Sequence, residues 1–246
     1  MHMVLTPTSK SSFNIINQNQ KRQLKQHSTQ NILPTHIHTI VLLDFKEMLT
    51  LYDLTMKNVI HVGGHHGQEL PLYVEVNPDV GVKIFEPHPD TYKQLCNNVS
   101  NHENVITCYD TALGSEVGMM DLHICTGNEG QSNSLLKPNL HVGQYPHIRF
   151  DGSVVSVSVM TLDSYNFDDT HNFMNIDVQG FELEVLKGSV ETLKHIDFII
   201  VEVNRAEVYT DCAQIEEIDE FLFRYGFGRV ETSWDGGTWG DALYIK

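Results

Sequence analysis

Short runs built for strands alternate with runs built for helices along most of this chain, and that rhythm leaves few folds open. Strand-like runs stand at 59–62 (VIHV), 82–86 (VKIFE), 105–109 (VITCY), 173–177 (FMNID) and 197–203 (DFIIVEV). Between them, Tyr92, Leu95, Cys96 and Val99 recur at helical spacing, and Ile215, Ile218, Leu222 and Tyr225 form a second stripe. Strand and helix in alternation imply right-handed crossovers and a mostly parallel sheet with helices on both faces. The last two runs, GRVETSW and WGDALYIK, are joined by Asp235-Gly236-Gly237 and read as an antiparallel hairpin. The expected fold class is therefore α/β and Rossmann-like, closed by a reversed C-terminal hairpin.

The length of 246 residues and the 41% hydrophobic content suit one large domain. Residues 1–34, rich in Asn, Gln, Ser and Lys, have too few apolar positions to offset the entropy of ordering and are expected to form a flexible polar tail. The domain is expected to span 35–246, opening with a helix in HIHTIVLLDFKEML. The formal charge is −16, and every acidic residue lies after position 43. A body that acidic repels a phosphate backbone, so double-stranded nucleic acid is a poor partner. Cys96, Cys108, Cys125 and Cys212 show neither CxxC pairing nor metal-ligand spacing, and no apolar leader precedes them. They read as reduced thiols of a cytoplasmic protein. No run is long and apolar enough for a membrane span.

Ligands in such sheets lie beyond the carboxyl ends of the strands, where strand order reverses. The first strand runs into NVIHVGGHHG, whose Gly63-Gly64 step allows a sharp turn and close approach of backbone to a ligand. Gly67, Gln68 and Glu69 then open a helix whose free N–H groups face the same place. The spacing is GGxxG, whereas a dinucleotide fingerprint requires GxGxxG. The second strand ends in Glu86, followed by Pro87, at the separation where a carboxylate accepts hydrogen bonds from a ribose diol. A glycine turn without a full phosphate cradle, paired with that acid, suits a nucleoside lacking pyrophosphate, such as S-adenosylmethionine.

These residues carry a family resemblance. IHVGGHHGQE, FEPHP, TALGSEVG, QSNSLL, MTLDSY, NIDVQGFELEVLKG and GDALYI occur in order from 58 to 246, and the chain resembles the FkbM family of class I S-adenosylmethionine-dependent methyltransferases. The resemblance implies a seven-stranded sheet with the last strand reversed and O-methylation of a hydroxyl, often on a sugar, glycan or small metabolite. It further implies that Val62, Gly63, Gly64, His65, Gly67 and Glu69 wrap the methionine part of the cofactor. Glu86 and Pro87 would hold the ribose, Thr111 and Ala112, after the third strand, would flank the adenine, and Ser134 would reach the cofactor. Asp177 is the family's central acid. One departure is His61, where the family often has Asp; Glu69 supplies a nearby carboxylate.

A hydroxyl acceptor must lose a proton, and the candidates for the base are Asp177, Glu182, Glu202 and His65, with His66 also of suitable intrinsic pKa. A divalent cation at Asp177 is a lesser alternative, since no HExxH or similar spacing supports a metal centre. The stretch TGNEGQSNSLLKPNLHVGQYPHIRF reads as one long binding loop, with His141, Tyr145, His147 and Arg149 lining an acceptor cleft and Trp234 and Trp239 able to stack on a sugar. Two other readings stay open: an NAD-type oxidoreductase, against which the glycine spacing argues, and a non-catalytic nucleoside-binding module.

Overall fold

The computed structural model describes residues 43–101 and 106–246. The expected tail lies outside the described residues, as does the first part of the expected opening helix, whose described part is α1 (Phe45–Leu51), capped by the Asp44 side chain. The other helices are α2 (Leu70–Val76), α3 (Pro89–Val99), α4 (Leu140–Gln144), α5 (Glu182–Lys187) and α6 (Ile215–Arg224). The strands are β1 (Asn58–Val62), β2 (Val82–Phe85), β3 (Ile106–Tyr109), β4 (Ala112–Leu113), β5 (Gly118–Thr126), β6 (Arg149–Met160), β7 (His171–Ile176), β8 (Phe198–Asn204), β9 (Gly228–Trp234) and β10 (Trp239–Ile245).

A seven-stranded sheet runs β3-β2-β1-β7-β8-β10-β9. β1 is parallel to β2 and β7, β2 to β3 and β7 to β8, whereas β10 is antiparallel to both β8 and β9. This is the Rossmann-like arrangement with the reversed hairpin that the sequence implied. The chain leaves β1 toward β2 on one side and returns to β7 on the other, so strand order reverses between β1 and β7 and opens a crevice at their carboxyl ends.

Side-chain alternation along the strands sorts two cores. On one face Val59, Val82, Ile84, Phe173, Phe198 and Ile200 pack against Phe45, Met48, Leu70, Tyr73, Leu95 and Val99 from α1, α2 and α3. On the other, Ile60, Val62, Met174, Ile176, Val201 and Val203 pack against Val185 and Leu186 of α5 and Ile215, Ile218 and Leu222 of α6.

The expected long loop is the connection between β5 and β6, residues 127–148, and it carries α4. On either side of it stands a second, three-stranded sheet, β4-β6-β5, with β5 and β6 antiparallel. Val155, Val157 and Val159 turn inward onto Leu122 and Phe181, while Ser156 and Val154 are exposed. The period-two pattern SVVSVSVM is the strand signal that a reading by loop length overlooks.

Candidate active site

The crevice is built from four strand ends. Beyond Val62 the chain turns at Gly63, whose φ is +86°, and the N–H groups of Gly63 and Gly64 both donate to the Phe85 carbonyl, at 3.0 and 2.9 Å. Gly67 closes the turn by donating to the Gly64 carbonyl at 2.8 Å. Val62 acts through its backbone alone: its side chain is in the core and its carbonyl accepts from Asp177 N–H at 2.9 Å.

Glu86 is 7% exposed, and each carboxylate oxygen accepts one backbone N–H, from His65 at 3.0 Å and from His88 at 2.8 Å. Burial pushes its pKa up to about 7, while those two hydrogen bonds pull the other way. An ionised carboxylate has about four acceptor positions, so two remain for a pair of hydroxyl donors. Pro87 is half-buried beside it. The residues present thus fit an adenosyl cofactor: bare backbone at the turn, and a diol acceptor at the tip of β2.

Alternation also explains the acids. Asp177 and Glu202 continue the face of Phe173 and Ile200, and since Ile176 pairs with Val201, the next residues along are Asp177 and Glu202 on neighbouring strands. Asp241 pairs with Glu202 from the other side. Gln179 joins the first two: its Nε2 donates to Asp177 Oδ1 at 2.8 Å and to Glu202 Oε2 at 2.7 Å. Glu69, at the N-cap of α2, is 8% exposed and its pKa is raised to about 7, first by burial and then by the charge of Asp177. Burial likewise raises Asp177, and it raises Glu202 well above the ordinary carboxylate range with help from Asp177, Glu182 and Asp241. These acids crowd one end of the sheet, and a cationic ligand there would relieve their repulsion.

A model of the methyltransferase FkbM domain matches residues 61–228. The chain belongs to the FkbM methyltransferase family. It is similar to the 2-O-methyltransferase NoeI of Sinorhizobium fredii, 24% identical over 185 residues that cover 72% of this chain and 75% of NoeI. It is also similar to the hexuronic acid methyltransferase AglP of Haloferax volcanii, 26% identical over 132 residues, or 50% of this chain and 47% of AglP. The crystal structure of a SAM dependent methyltransferase from Aquifex aeolicus, 14% identical, covers 83% of this chain and 90% of its own with a TM-score of 0.45. The family membership bears out the expected class, an S-adenosylmethionine-dependent methyltransferase. The NAD-type dehydrogenase is set aside with it.

In this FkbM chain the other expected site residues divide by what already holds them. His65 has φ +43° and both ring nitrogens engaged, Nδ1 with Gln68 Nε2 at 2.7 Å and Nε2 with the Glu129 carbonyl at 2.9 Å. It ties the glycine turn to the β5–β6 connection. Glu182 opens α5, and its Oε1 accepts from Val178 and Gly180 N–H groups at 3.1 and 3.0 Å, so it caps the turn after Asp177. Ser134 Oγ donates to the Gln179 carbonyl at 2.7 Å and accepts from Leu136 N–H at 3.0 Å. Thr111, just before β4, and Ala112, which opens β4, are both buried. His61, in the place of the FkbM acid, faces Tyr73 and Asn175 in the core of the α1–α3 face, and burial lowers its pKa to about 4, so it is neutral.

Of the residues expected to meet the acceptor, the Trp234 ring is covered by Arg205, 4.4 Å from its centroid, and Trp239 Nε1 donates to Tyr145 Oη at 2.7 Å. Tyr145 in turn donates to Asp235. His141 is buried against Ser132 and Tyr209. Among the described residues no group of His, Cys, Asp and Glu has the arrangement of a metal site.

Asn204 ends the row of Glu202 on β8. It is 1% exposed, and neither its Oδ1 nor its Nδ2 has a partner. An unsatisfied buried amide costs about 1–3 kcal/mol, which marks a group held ready for something else. Replacing Asn204 with Leu is expected to leave the melting temperature unchanged or higher and to lower kcat/KM for the acceptor by roughly 10–100-fold, the loss of a hydrogen bond of a few kcal/mol. Thermal unfolding alongside steady-state kinetics checks both halves.

Proposed function

We propose that the chain is an O-methyltransferase whose domain runs from about residue 35 and which methylates a hydroxyl of a sugar, glycan or small hydroxylated metabolite. The observation that carries this is Glu86 at the tip of β2, with two acceptor positions left for a ribose diol, together with Asp177 and Glu202 at the same end of the sheet on β7 and β8, bridged by Gln179. The sugar acceptor is supported by the printed activities of NoeI and AglP, and small or glycan acceptors by the acidic body, which disfavours double-stranded nucleic acid. Among the described residues no helix is long and apolar enough to cross a membrane.

When bound, S-adenosylmethionine supplies a methyl group on a sulfonium, which leaves as a neutral thioether and needs no acid. The chain's own residues then have three tasks. Glu86 and the backbone of the glycine turn fix the donor, and holding two reactants in line is worth about 7–11 kcal/mol. Asp177 accepts the acceptor's proton, for which a positioned base contributes about 10²–10⁴-fold. Asn204 offers one donor and one acceptor to the incoming hydroxyls. The base assignment rests on position: both His65 nitrogens are engaged and Glu182 is wholly buried as the cap of the turn, while Asp177 and Glu202 lie beyond or near the carboxyl ends of β7 and β8.

The test has two arms. Calorimetry should show S-adenosylhomocysteine binding, and mass spectrometry of a panel of methyl glycosides incubated with S-adenosylmethionine should show a gain of one methyl group. Absence of binding at millimolar ligand removes the reading.

The raised acids give a pH dependence of definite sign. Glu69 and Glu86 have folded pKa values of about 7, above the ordinary 4.5, so the ligand-free fold is favoured by their protonation. That contribution is complete below about 4.5 and is lost as pH rises through 7. A sulfonium favours the ionised acids, so affinity for S-adenosylmethionine relative to the uncharged-sulfur product is expected to rise by about tenfold between pH 5.5 and 7.5, as Glu69 ionises. Competition binding at the two pH values checks it, and an unchanged ratio would show that these carboxyls do not face the sulfur.

A further inference from the structure

We propose that Gln179 and Tyr209 are positioning residues that hold Asp177 and Glu202 as a carboxyl pair carrying a single proton, and that this pair takes the proton of the acceptor hydroxyl. The inference rests on the methyl-transfer reading above and goes beyond it in naming the state of the base and the groups that maintain it.

Asp177 and Glu202 stand on adjacent parallel strands, which lie about 4.8 Å apart, and two buried carboxylates that close do not both ionise readily. The charge of Asp177 adds to burial in raising Glu202 well above the ordinary carboxylate range, which makes Glu202 the partner that keeps the proton. Gln179 completes the arrangement by donating both its amide hydrogens, one to each carboxyl, at 2.8 and 2.7 Å. That geometry requires the amide oxygen to point away, and Tyr209 enforces it. Its hydroxyl, 1% exposed as a residue, donates to Gln179 Oε1 at 2.7 Å and lies farther, at 3.3 Å, from the Ser132 carbonyl. The Gln179 backbone has φ +57°, a left-handed conformation costly for a residue with a side chain, and Ser134 Oγ pins its carbonyl. Strain tolerated at one residue beside the strand tips is accounted for by a side chain that must reach both carboxyls at once.

Holding one proton suits the chemistry. The O–H proton of the acceptor passes to the pair, which then carries two and returns one to solvent; the acceptor oxygen bonds to the methyl carbon as the carbon–sulfur bond breaks, the electron pair staying on sulfur. Charge balances, since one positive sulfonium and one negative pair become a neutral thioether and a neutral pair.

The other titratable groups facing the pair are His65 and Glu69 from the turn before α2, Glu182 at the start of α5, Asp241 on β10, Tyr145 after α4, and Tyr209 itself. Gln179→Met changes none of them. It keeps an unbranched side chain and removes both donors. A hydrogen bond to a charged group is worth about 1.5–3 kcal/mol, so its loss should raise the pH at which the pair goes from two protons to one by at least about one unit. Tyr209→Phe frees the amide to rotate and should give a smaller shift in the same direction.

Carboxyl carbon NMR titration of full-length protein labelled in its Asp and Glu side chains reads this without turnover, with Glu202→Gln and Asp177→Asn assigning the two signals. The acid limb of kcat against pH, on whichever methyl glycoside is turned over, should move in step, while affinity for S-adenosylhomocysteine stays within about threefold. Titrations of Gln179→Met and Tyr209→Phe that coincide with wild type would overturn the proposal. Failure of wild type to bind S-adenosylhomocysteine would instead overturn the methyl-transfer reading, and the titrations still decide whether the pair exists.

Discussion

Asp177→Asn should lower kcat by about 10³-fold while leaving affinity for S-adenosylhomocysteine nearly unchanged. The reasoning follows the geometry at the tip of β7. Asp177 bonds through its backbone N–H to the Val62 carbonyl, which the substitution preserves, and its side chain is isosteric with Asn. The charge and the proton-accepting oxygen are lost. A base of this kind is worth about 10²–10⁴-fold, and removing an interaction made only in the transition state lowers kcat and kcat/KM together. Affinity for S-adenosylmethionine should fall modestly, because its sulfonium loses a nearby carboxylate that the uncharged product does not need. Rapid-quench kinetics alongside calorimetry separate the effects. Retained turnover would move the base to another residue, with Glu202 next in line.

The second large effect is expected at Gly63, where a single methyl group has nowhere to go. A Cβ there would stand 1.7 Å from the carbonyl oxygen of Asp177, a backbone atom, and the φ of +86° is unfavourable for any side chain. The turn is also held by two N–H groups bonded to the Phe85 carbonyl, so it cannot simply move aside. Gly63→Ala should destabilise the protein by about 3–5 kcal/mol, combining backbone strain with overpacking, and drop the melting temperature by about 10 °C or more. Cofactor affinity should be lost with it. Gly143→Ala is the matched control: it sits in α4 with nothing within 4 Å of its Cβ, and no loss of stability is expected. Differential scanning calorimetry of the pair checks this, and a Gly63→Ala protein as stable as the control would mean that β1 and β7 do not meet as described.

What could be read from the chain itself follows from how local each signal is. Strands β1, β2, β7 and β8 and helices α3 and α6 were legible because each carries its own period, and the glycine turn because its residues are contiguous. Asp177 and Glu202 were legible as strand ends; that they are neighbours on one face depends on the register of β7 against β8, a pairing between segments far apart in sequence. The second sheet was overlooked for the same reason, although SVVSVSVM advertises a strand. Gln179 carried a partial signal, lying inside the NIDVQGFELEVLKG segment, but Tyr209 carried none: it sits in an irregular segment after β8 and matters only because folding brings it to Gln179. His65 illustrates the opposite case. Its chemistry suggested a base, and the fold gives both its nitrogens to other partners. Intrinsic pKa is a property of the residue, whereas availability is a property of its surroundings.

A crystal structure of the protein with S-adenosylhomocysteine tests the central claim most directly. The account predicts both ribose hydroxyls within hydrogen-bonding distance of the Glu86 carboxylate, with the sulfur directed toward Asp177 and Glu202. A nucleoside bound away from the β1–β7 crevice, or a ribose that leaves Glu86 with only its bonds to His65 and His88, would contradict it.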